Sequence, residues 1–365
     1  MIPALREIAH RILGRGEGAI TVPPFDGALK PNQVLESAEV VAEFAAAEDL
    51  ASDGSTLYVA DGQLVLRFDG STTHELRRFD APVTAICVLA NARLAVALDG
   101  REIRVIDLAG GGAEDRVYSG PELHAINALA PGDADTLLAT SGSVTESCAE
   151  WARDLMNRGR TGRLLSISLS SGGIRVVASG LGYAFGVVTA GATTTVSESW
   201  RHRIVAIDGD GGVRPLLDHL PVYPSRISAA AGGGFWLTAF IARTQLVEFV
   251  LREPGYRRRM IAEIDPEFWI VPRLRSGESF REPMQGAHLK TMGVIKPWAP
   301  PRSYGLVVRL DDDFTPLYSL HSRVDGHNHG VVAAAEVGDG LYVLAKGPGR
   351  LLRLSLATVK RELGA

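Results

Sequence analysis

Short apolar runs recur along this chain in threes and fours, separated by Gly, Asp or Asn. One unit reads 48–53, 56–60, 64–68 and 75–79, and the next reads 83–89, 93–98, 103–108 and 116–119. A third begins near His124 and continues through 136–140, 163–169 and 174–178. A fourth occupies 185–188, 195–198, 203–207 and 213–217. A fifth starts at 225–229 and 235–239 and resumes at 304–310 and 316–320, and a sixth holds 329–335, 341–345 and 351–356. Runs this short, bounded by turn residues, are strands. The first run of a unit is apolar nearly throughout, as in 83–89, which suits a strand covered on both faces.

The third run of each unit repeats one kind of string: VLRFDG, IRVIDLAGG, LLSISLSSGG, IVAIDGDGG, LVVRLDDDF and LLRLSLA. Units of roughly 40 residues with four strands mark a β-propeller. A two-sheet sandwich has no reason to repeat one string so often. The expected fold is therefore all-β, a six-bladed β-propeller of four-stranded blades. The sixth unit lacks a fourth strand at its C-terminal end. Residues 38–44 can supply it from the N-terminal side, closing the ring and removing an open edge. Residues 1–37 are then an N-terminal helix and extended arm, and 38–365 a single propeller.

Two segments break the rhythm. Residues 141–162 have helical character around 148–157, and 243–303 form a long stretch rich in Arg and Pro. Both fall between the second and third strands of a blade. Connections in a four-stranded meander alternate between two faces, so both inserts share a face with the starts of the innermost strands. They are expected to form a helical and irregular lid over the channel mouth. Residues at the strand starts become candidate ligand contacts: Glu48, Val83, His124, Asn127, Phe185, Ser225, Arg226, His327 and His329. The second-to-third connections add Asp61, Asp99, Glu198, Trp200, Arg201, His202 and Lys346.

Composition narrows the function. Apolar residues make up 46% and charged residues 22% of the 365, as for a packed globular core. The formal net charge of -4, with no Lys/Arg block, argues against a nucleic-acid surface. Forty Gly are scattered as GG and DG pairs, which mark turns, and the runs at 110–112 and 232–234 read as hairpins because neither precedes a helix. Two cysteines make no disulfide framework, and Cys87 is expected as a buried thiol. Residues 1–15 lack a signal-peptide core and read as a short basic amphipathic helix with Leu5, Ile8, Ile12 and Leu13 on one face. That helix either packs on the domain rim or anchors at a membrane surface. With no apolar stretch of bilayer length, no membrane span and a cytoplasmic location are expected.

Five strings carry a family resemblance: DGALKPNQVLESA (26–38), AEDLASDGSTLYVADG (47–62), RTGRLLSISLSSGG (160–173), GLGYAFGVV through VSESWRHRI (180–204) and LPVYPSRISAAAGGGFWLTAF (220–240). In this order they resemble the strictosidine synthase-like family, within the wider gluconolactonase- and paraoxonase-type superfamily of six-bladed propellers. The resemblance implies a divalent ion, usually calcium, held at the channel mouth by Glu, Asn, Asn and Asp. Glu48 matches the first ligand and Asn127 fits a second. Phe185 stands where the other Asn is expected, and Ser225, followed by Arg226, stands where the Asp is expected. A phenyl ring does not coordinate calcium and a guanidinium repels it. The expectation is thus no metal and no other cofactor. Strictosidine synthase itself is metal-free and uses a glutamate near the start of the last inner strand. Here His329, Gly330 and Val331 occupy that region, and Glu336 lies too far along.

The expected activity is ester or lactone hydrolysis on a small molecule by metal-independent acid–base chemistry. His329 or His124 would activate water, since imidazole titrates near neutrality. Glu48 would orient a histidine or take the proton, and Arg226 would hold an oxyanion or a substrate carboxylate. Ser225, Phe185, Asn127, Trp200 and Lys346 would complete the binding surface, favouring an anionic ligand. A cyclase or isomerase in the same cavity, or a ligand-binding propeller without chemistry, fits the same residues. The triplet His327-Asn328-His329 resembles a zinc-binding pattern, but no further Cys or carboxylate cluster follows it. Glu198 through His202 reads either as a ligand contact or as a blade-tip hydrogen-bond network.

Overall fold

The computed structural model of the protein describes residues 22–108, 114–191, 193–275, 290–291, 294–295, 303–323 and 326–363. Six four-stranded antiparallel sheets form the blades of a propeller. Their innermost strands are Ala47–Ser52, Val83–Leu89, Ile126–Pro131, Ala184–Ala190, Val222–Ala229 and Val331–Val337, for blades 1 to 6. Each packs on the next around the ring, and that of blade 6 returns to blade 1. Burial follows position in the blade. Second strands such as Phe235–Ala242 are buried throughout, while outer strands such as Thr73–Arg78 are mostly exposed. The continuous apolar runs of the sequence are strands sandwiched between blades.

Blade 1 shows how the turns are encoded. Asp-Gly-Ser-Thr occurs twice, at 53–56 and 69–72. Asp53 Oδ1 accepts the Ser55 and Thr56 amides at 2.8 and 2.7 Å, and Asp69 Oδ1 accepts those of Ser71 and Thr72 at 3.0 and 2.9 Å. Gly54 and Gly70 have φ of +90° and +99°, where a side chain would be strained.

Blade 6 takes its outer strand from the other end of the chain. Glu39–Glu43 lies antiparallel to Arg350–Ser355, with Val40 opposite Leu352. After Arg350–Ser355 the chain continues as the helix Leu356–Leu363. The arm before Glu39 ties blade 5 to blade 6. Asn32 Nδ2 donates to Ser319 O at 2.8 Å, Ser319 Oγ donates to Ala28 O at 2.8 Å, and Leu35 is fully buried. Glu36 Oε2 accepts from Ser322 Oγ and from the His327 and Asn328 amides, at 2.6, 2.9 and 3.1 Å. These contacts, with charge on His327, hold its carboxyl below the usual range against the opposing effect of burial.

The inserts leave the ends of the second strands of blades 3 and 5, on the face where the inner strands begin. The first carries the helix Trp151–Asn157, and the second carries Gln245–Val250 and Pro254–Glu263. They touch: Arg257 Nη1 donates to Met156 O, and the Arg153 guanidinium sits 5.2 Å over the Trp269 ring. Glu248 anchors the second insert. Its Oε1 accepts from Tyr223 OH at 3.0 Å and from Arg243 Nε at 3.2 Å, and lies 3.4 Å from His202 Nε2. Burial opposes this charge, but His202 and Arg243 together hold the carboxyl well below its usual range.

Among the described residues no helix is long and apolar enough to cross a membrane. The helix expected in residues 1–15, the turn at 110–112 and most of the insert beyond residue 275 lie outside the described residues.

Candidate functional site

One irregularity repeats in all six blades. The register between first and second strands shifts near the start of the inner strand: between Ala47 and Asp49, Val83 and Ala85, Ile126 and Ala128, Ala184 and Val187, Pro224 and Ile227, and Val331 and Ala333. A bulge adds an unpaired residue and re-aims its side chain. The residues passed over are Glu48, Thr84, Asn127, Phe185 with Gly186, Ser225 with Arg226, and Val332. They occupy corresponding positions on the six inner strands. Val83, expected at the mouth, is instead packed in the blade core, and Thr84 takes the bulge position.

Arg226 reaches from blade 5 across the ring. Its Nη1 donates to Glu48 O in blade 1 at 2.9 Å, and its Nη2 donates to Thr84 O in blade 2 at 2.9 Å. Nε lies 3.0 Å from Asp49 Oδ1, an ion pair whose angle is not that of a hydrogen bond. The guanidinium carbon sits 5.2 Å from the centre of the Phe185 ring. Asp49 is itself buried and accepts the Leu50 and Ile86 amides at 2.8 and 2.9 Å. Burial pushes its carboxyl up to about 6, against the pull of Arg226 and the two amides. Nearer the mouth, Lys346 Nζ donates to Glu48 Oε2, and Arg226 Nη2 is 3.9 Å from Glu48 Oε1. Two cations thus face two carboxylates. Arg226, expected to hold an oxyanion or a substrate carboxylate, is instead paired with Glu48 and Asp49.

The donor set does not fit calcium. Phe185 presents a ring, tilted against those of Tyr183 and Phe240. Ser225 Oγ is shared with Thr238 Oγ1 at 2.8 Å and donates to Val331 O at 3.0 Å. Asn127 Oδ1 accepts from Thr140 Oγ1 at 2.9 Å, while its buried Nδ2 has no hydrogen-bond partner. The Arg226 guanidinium stands among the remaining oxygens. Among the described residues no group of three or more His, Cys, Asp or Glu could hold a metal ion.

The histidines fill other roles. His329 is 3% exposed; its Nδ1 lies 2.7 Å from Ser303 Oγ and its Nε2 lies 2.7 Å from Arg323 O. A carbonyl only accepts, so Nε2 carries a proton. With both nitrogens engaged, neither is open as a general base, which corrects that expectation for this residue. His124 donates from Nδ1 to Ser143 O at 2.9 Å, and its Nε2 is 3.5 Å from Arg101 Nη2. It sits on the rim of blade 3, held by the first insert. His202 is buried against Glu248, and burial lowers its pKa.

The connections divide similarly. Glu198 is fully buried and accepts from Gly182 N, Arg201 Nη1 and Arg203 Nε at 2.7, 2.9 and 2.5 Å, a blade-tip network. Trp200 donates from Nε1 to Asp154 Oδ2 at 2.7 Å and packs against Tyr183 at 4.5 Å between centroids. Asp61 Oδ1 accepts the Ala46 amide at 2.6 Å, and Asp99 pairs loosely with Arg101 at 3.8 Å.

A cavity of about 440 Å³ opens at the seam between blades 6 and 1, lined by Glu48, Lys346, Phe44, Leu274, Arg275 and Pro348 among others. The second insert contributes Leu274, so it spans from blade 5 to blade 6. Asp49, Thr84, Tyr183 and Cys148 belong to the site and were not singled out by the sequence. Burial, with the field of Glu48, pushes the Cys148 thiol up to about 12 despite Lys346 and Arg226, so it stays protonated at neutral pH.

No protein-family profile matches this chain, and no curated protein matches it. Solved structures do. A gluconolactonase from Xanthomonas campestris is 16% identical, with a TM-score of 0.56 over 92% of this chain and 95% of that one. A calcium-binding protein, regucalcin, from Agrobacterium tumefaciens is 11% identical, with a TM-score of 0.54 over 89% and 95%. A luciferin-regenerating enzyme is 15% identical, with a TM-score of 0.52 over 88% and 94%. At such identities the likeness is one of fold: the six-bladed propeller.

Proposed function

We propose that the protein is a small-molecule hydrolase of the lactonase type, working at the channel mouth without a divalent metal, and that its nearest affiliation is the strictosidine synthase-like group. The observation that carries the reading is the Glu48–Lys346 pair, which lines the cavity at the seam between blades 6 and 1. The order of the five strings and the gluconolactonase-type neighbours support it. Glu48 is the base. Its carboxylate takes a proton from water as the water oxygen attacks the ester or lactone carbonyl carbon. The Lys346 ammonium then faces the oxygen that becomes negative. As the carbonyl re-forms, the C–O bond to the leaving oxygen breaks and that oxygen takes the proton from Glu48. The products are an acid and an alcohol, or a hydroxy acid from a lactone. The described part of the second insert, packed from blade 5 to Leu274, acts as a partial cover.

Turnover of aryl esters and simple lactones, measured in EDTA, tests this. Glu48→Gln should lower kcat about 100-fold or more, the usual weight of a positioned base. Full activity in Glu48→Gln, or wild-type activity only with added metal, refutes it. A second reading, a ligand-binding propeller without chemistry, is favoured by the pairing of all four charges at the ring. No turnover with any ester or lactone, together with a ligand-induced thermal shift that survives Glu48→Gln, would select that reading.

A further inference from the structure

Four oxygen atoms from two blades converge on one side chain from a third. Glu48 O and Thr84 O accept from the Arg226 guanidinium at 2.9 Å each, Asp49 Oδ1 lies 3.0 Å from Nε, and Glu48 Oε1 lies 3.9 Å from Nη2. Two are backbone carbonyls at bulges and two are carboxylate oxygens. A hard divalent cation selects such a set, since it binds oxygen ligands and tolerates mixed carbonyl and carboxylate donors. Here the positive charge is covalent. Arg226 is 7% exposed and Asp49 is 2% exposed, so neither charge is compensated by bulk water. Phe185 lies against the guanidinium face, 5.2 Å away, where it could not serve a metal ion.

We propose that the Arg226 guanidinium is the resident cation of the channel mouth, a built-in substitute for a divalent ion that cross-links the inner strands of blades 5, 1 and 2. A planar fork with five donors can meet several acceptors at once. It needs no free ion and no binding equilibrium. Because it is part of the chain, the cross-link is insensitive to chelators. Removing the side chain leaves the two carboxylates with Lys346, still paired to Glu48, as their remaining neighbouring cation, so the cage is net negative and becomes a cation site with room for waters. This role concerns the closing of the ring and stands whether or not the mouth is catalytic.

The test compares wild type, Arg226→Ala and Arg226→Lys at a pH above the titration of Asp49. Melting temperature is read in EDTA, in millimolar calcium chloride, and in sodium chloride of matched ionic strength. Wild type should melt identically in all three and hold no calcium by elemental analysis. Arg226→Ala should melt lower in EDTA by about 5 °C or more, and calcium, but not sodium, should restore part of the loss. Titration calorimetry should show one calcium per chain for this variant and none for wild type. Arg226→Lys keeps the charge without the fork, so it should fall between them and ignore calcium. If Arg226→Ala does not fold in EDTA, refolding it with and without calcium gives the same reading. Stoichiometric calcium in wild type overturns the proposal. So does an Arg226→Ala protein as stable as wild type, or one that calcium neither stabilises nor helps to refold.

Discussion

His321 should make the protein acid-sensitive in a way that one substitution removes. Its ring is fully buried in blade 5, with Nδ1 2.8 Å from Tyr304 OH and Nε2 2.7 Å from Ser319 Oγ. Burial, helped by the Arg323 charge, lowers its pKa to about 3 from an ordinary value of 6.5. The folded state therefore resists a proton that the unfolded chain accepts. Stability from this group is complete above pH 6.5 and is lost as pH falls from there toward about 3. Between about pH 7.5 and pH 5 the loss is about 2 kcal/mol, roughly 1.5 pH units at 1.36 kcal/mol each. Asp49 acts with the opposite sign. Its carboxyl is raised to about 6 from 3.8, so its contribution is best at low pH and declines as pH rises between those values. Over the same acidification it returns about 1.4 kcal/mol. His202, lowered by burial, adds to the loss. The quantity to read is thus the difference between wild type and His321→Gln, in which the other groups cancel. Urea unfolding at both pH values should show wild type losing about 2 kcal/mol more than the variant. Equal pH dependence in the two proteins would show that His321 is not a buried neutral ring.

Glu248→Gln should cost about 3 kcal/mol, because it strips the counter-charge from buried Arg243 and breaks the anchor of the second insert; a lowered Tm with early proteolysis within 243–275 checks it. Gly186→Ala should destabilise by about 1–3 kcal/mol, since a Cβ there meets Ile227 N and Ser225 O at 2.7 Å and the Arg226 Cα at 2.8 Å, forcing blades 4 and 5 apart. Chemical denaturation measures that loss, and an unchanged midpoint would mean the inner strands can yield.

The blade repeat was legible because it rests on a local pattern, short apolar runs between turn residues, read six times over. The site was only half legible. Strand alternation points to Val83, yet the bulge turns Thr84 to that position, and no local string announces a bulge. Asp49 reads as a neighbour of Glu48, but its meaning comes from Arg226, 177 residues away in sequence and adjacent across the ring. The fate of His329 was hidden although its partners are near in sequence, because its contacts with Ser303 and Arg323 follow from how the chain folds back beside the ring. Glu48 and Lys346 were legible from topology alone, because the meander rule puts strand starts and second-to-third connections on one face. Phe185 and Ser225 were legible as residues ill-suited to calcium, while the guanidinium's place among the carbonyls was not.

Val40 pairs with Leu352, so the last sheet cannot be finished until almost the entire polypeptide exists. At ribosomal speeds of about 5–20 residues per second, the 311 residues between Val40 and Leu352 take roughly 15 to 60 s to emerge. Through that interval the early segment waits without its partner, and each completed blade presents an uncovered flank to its surroundings. Ring closure is also among the longest-range steps available to the chain, and such steps are slow because the loop entropy is spent before the contact forms. A circularly permuted gene, cut between two blades and fused through the present ends, would shorten the wait and move the late seam elsewhere.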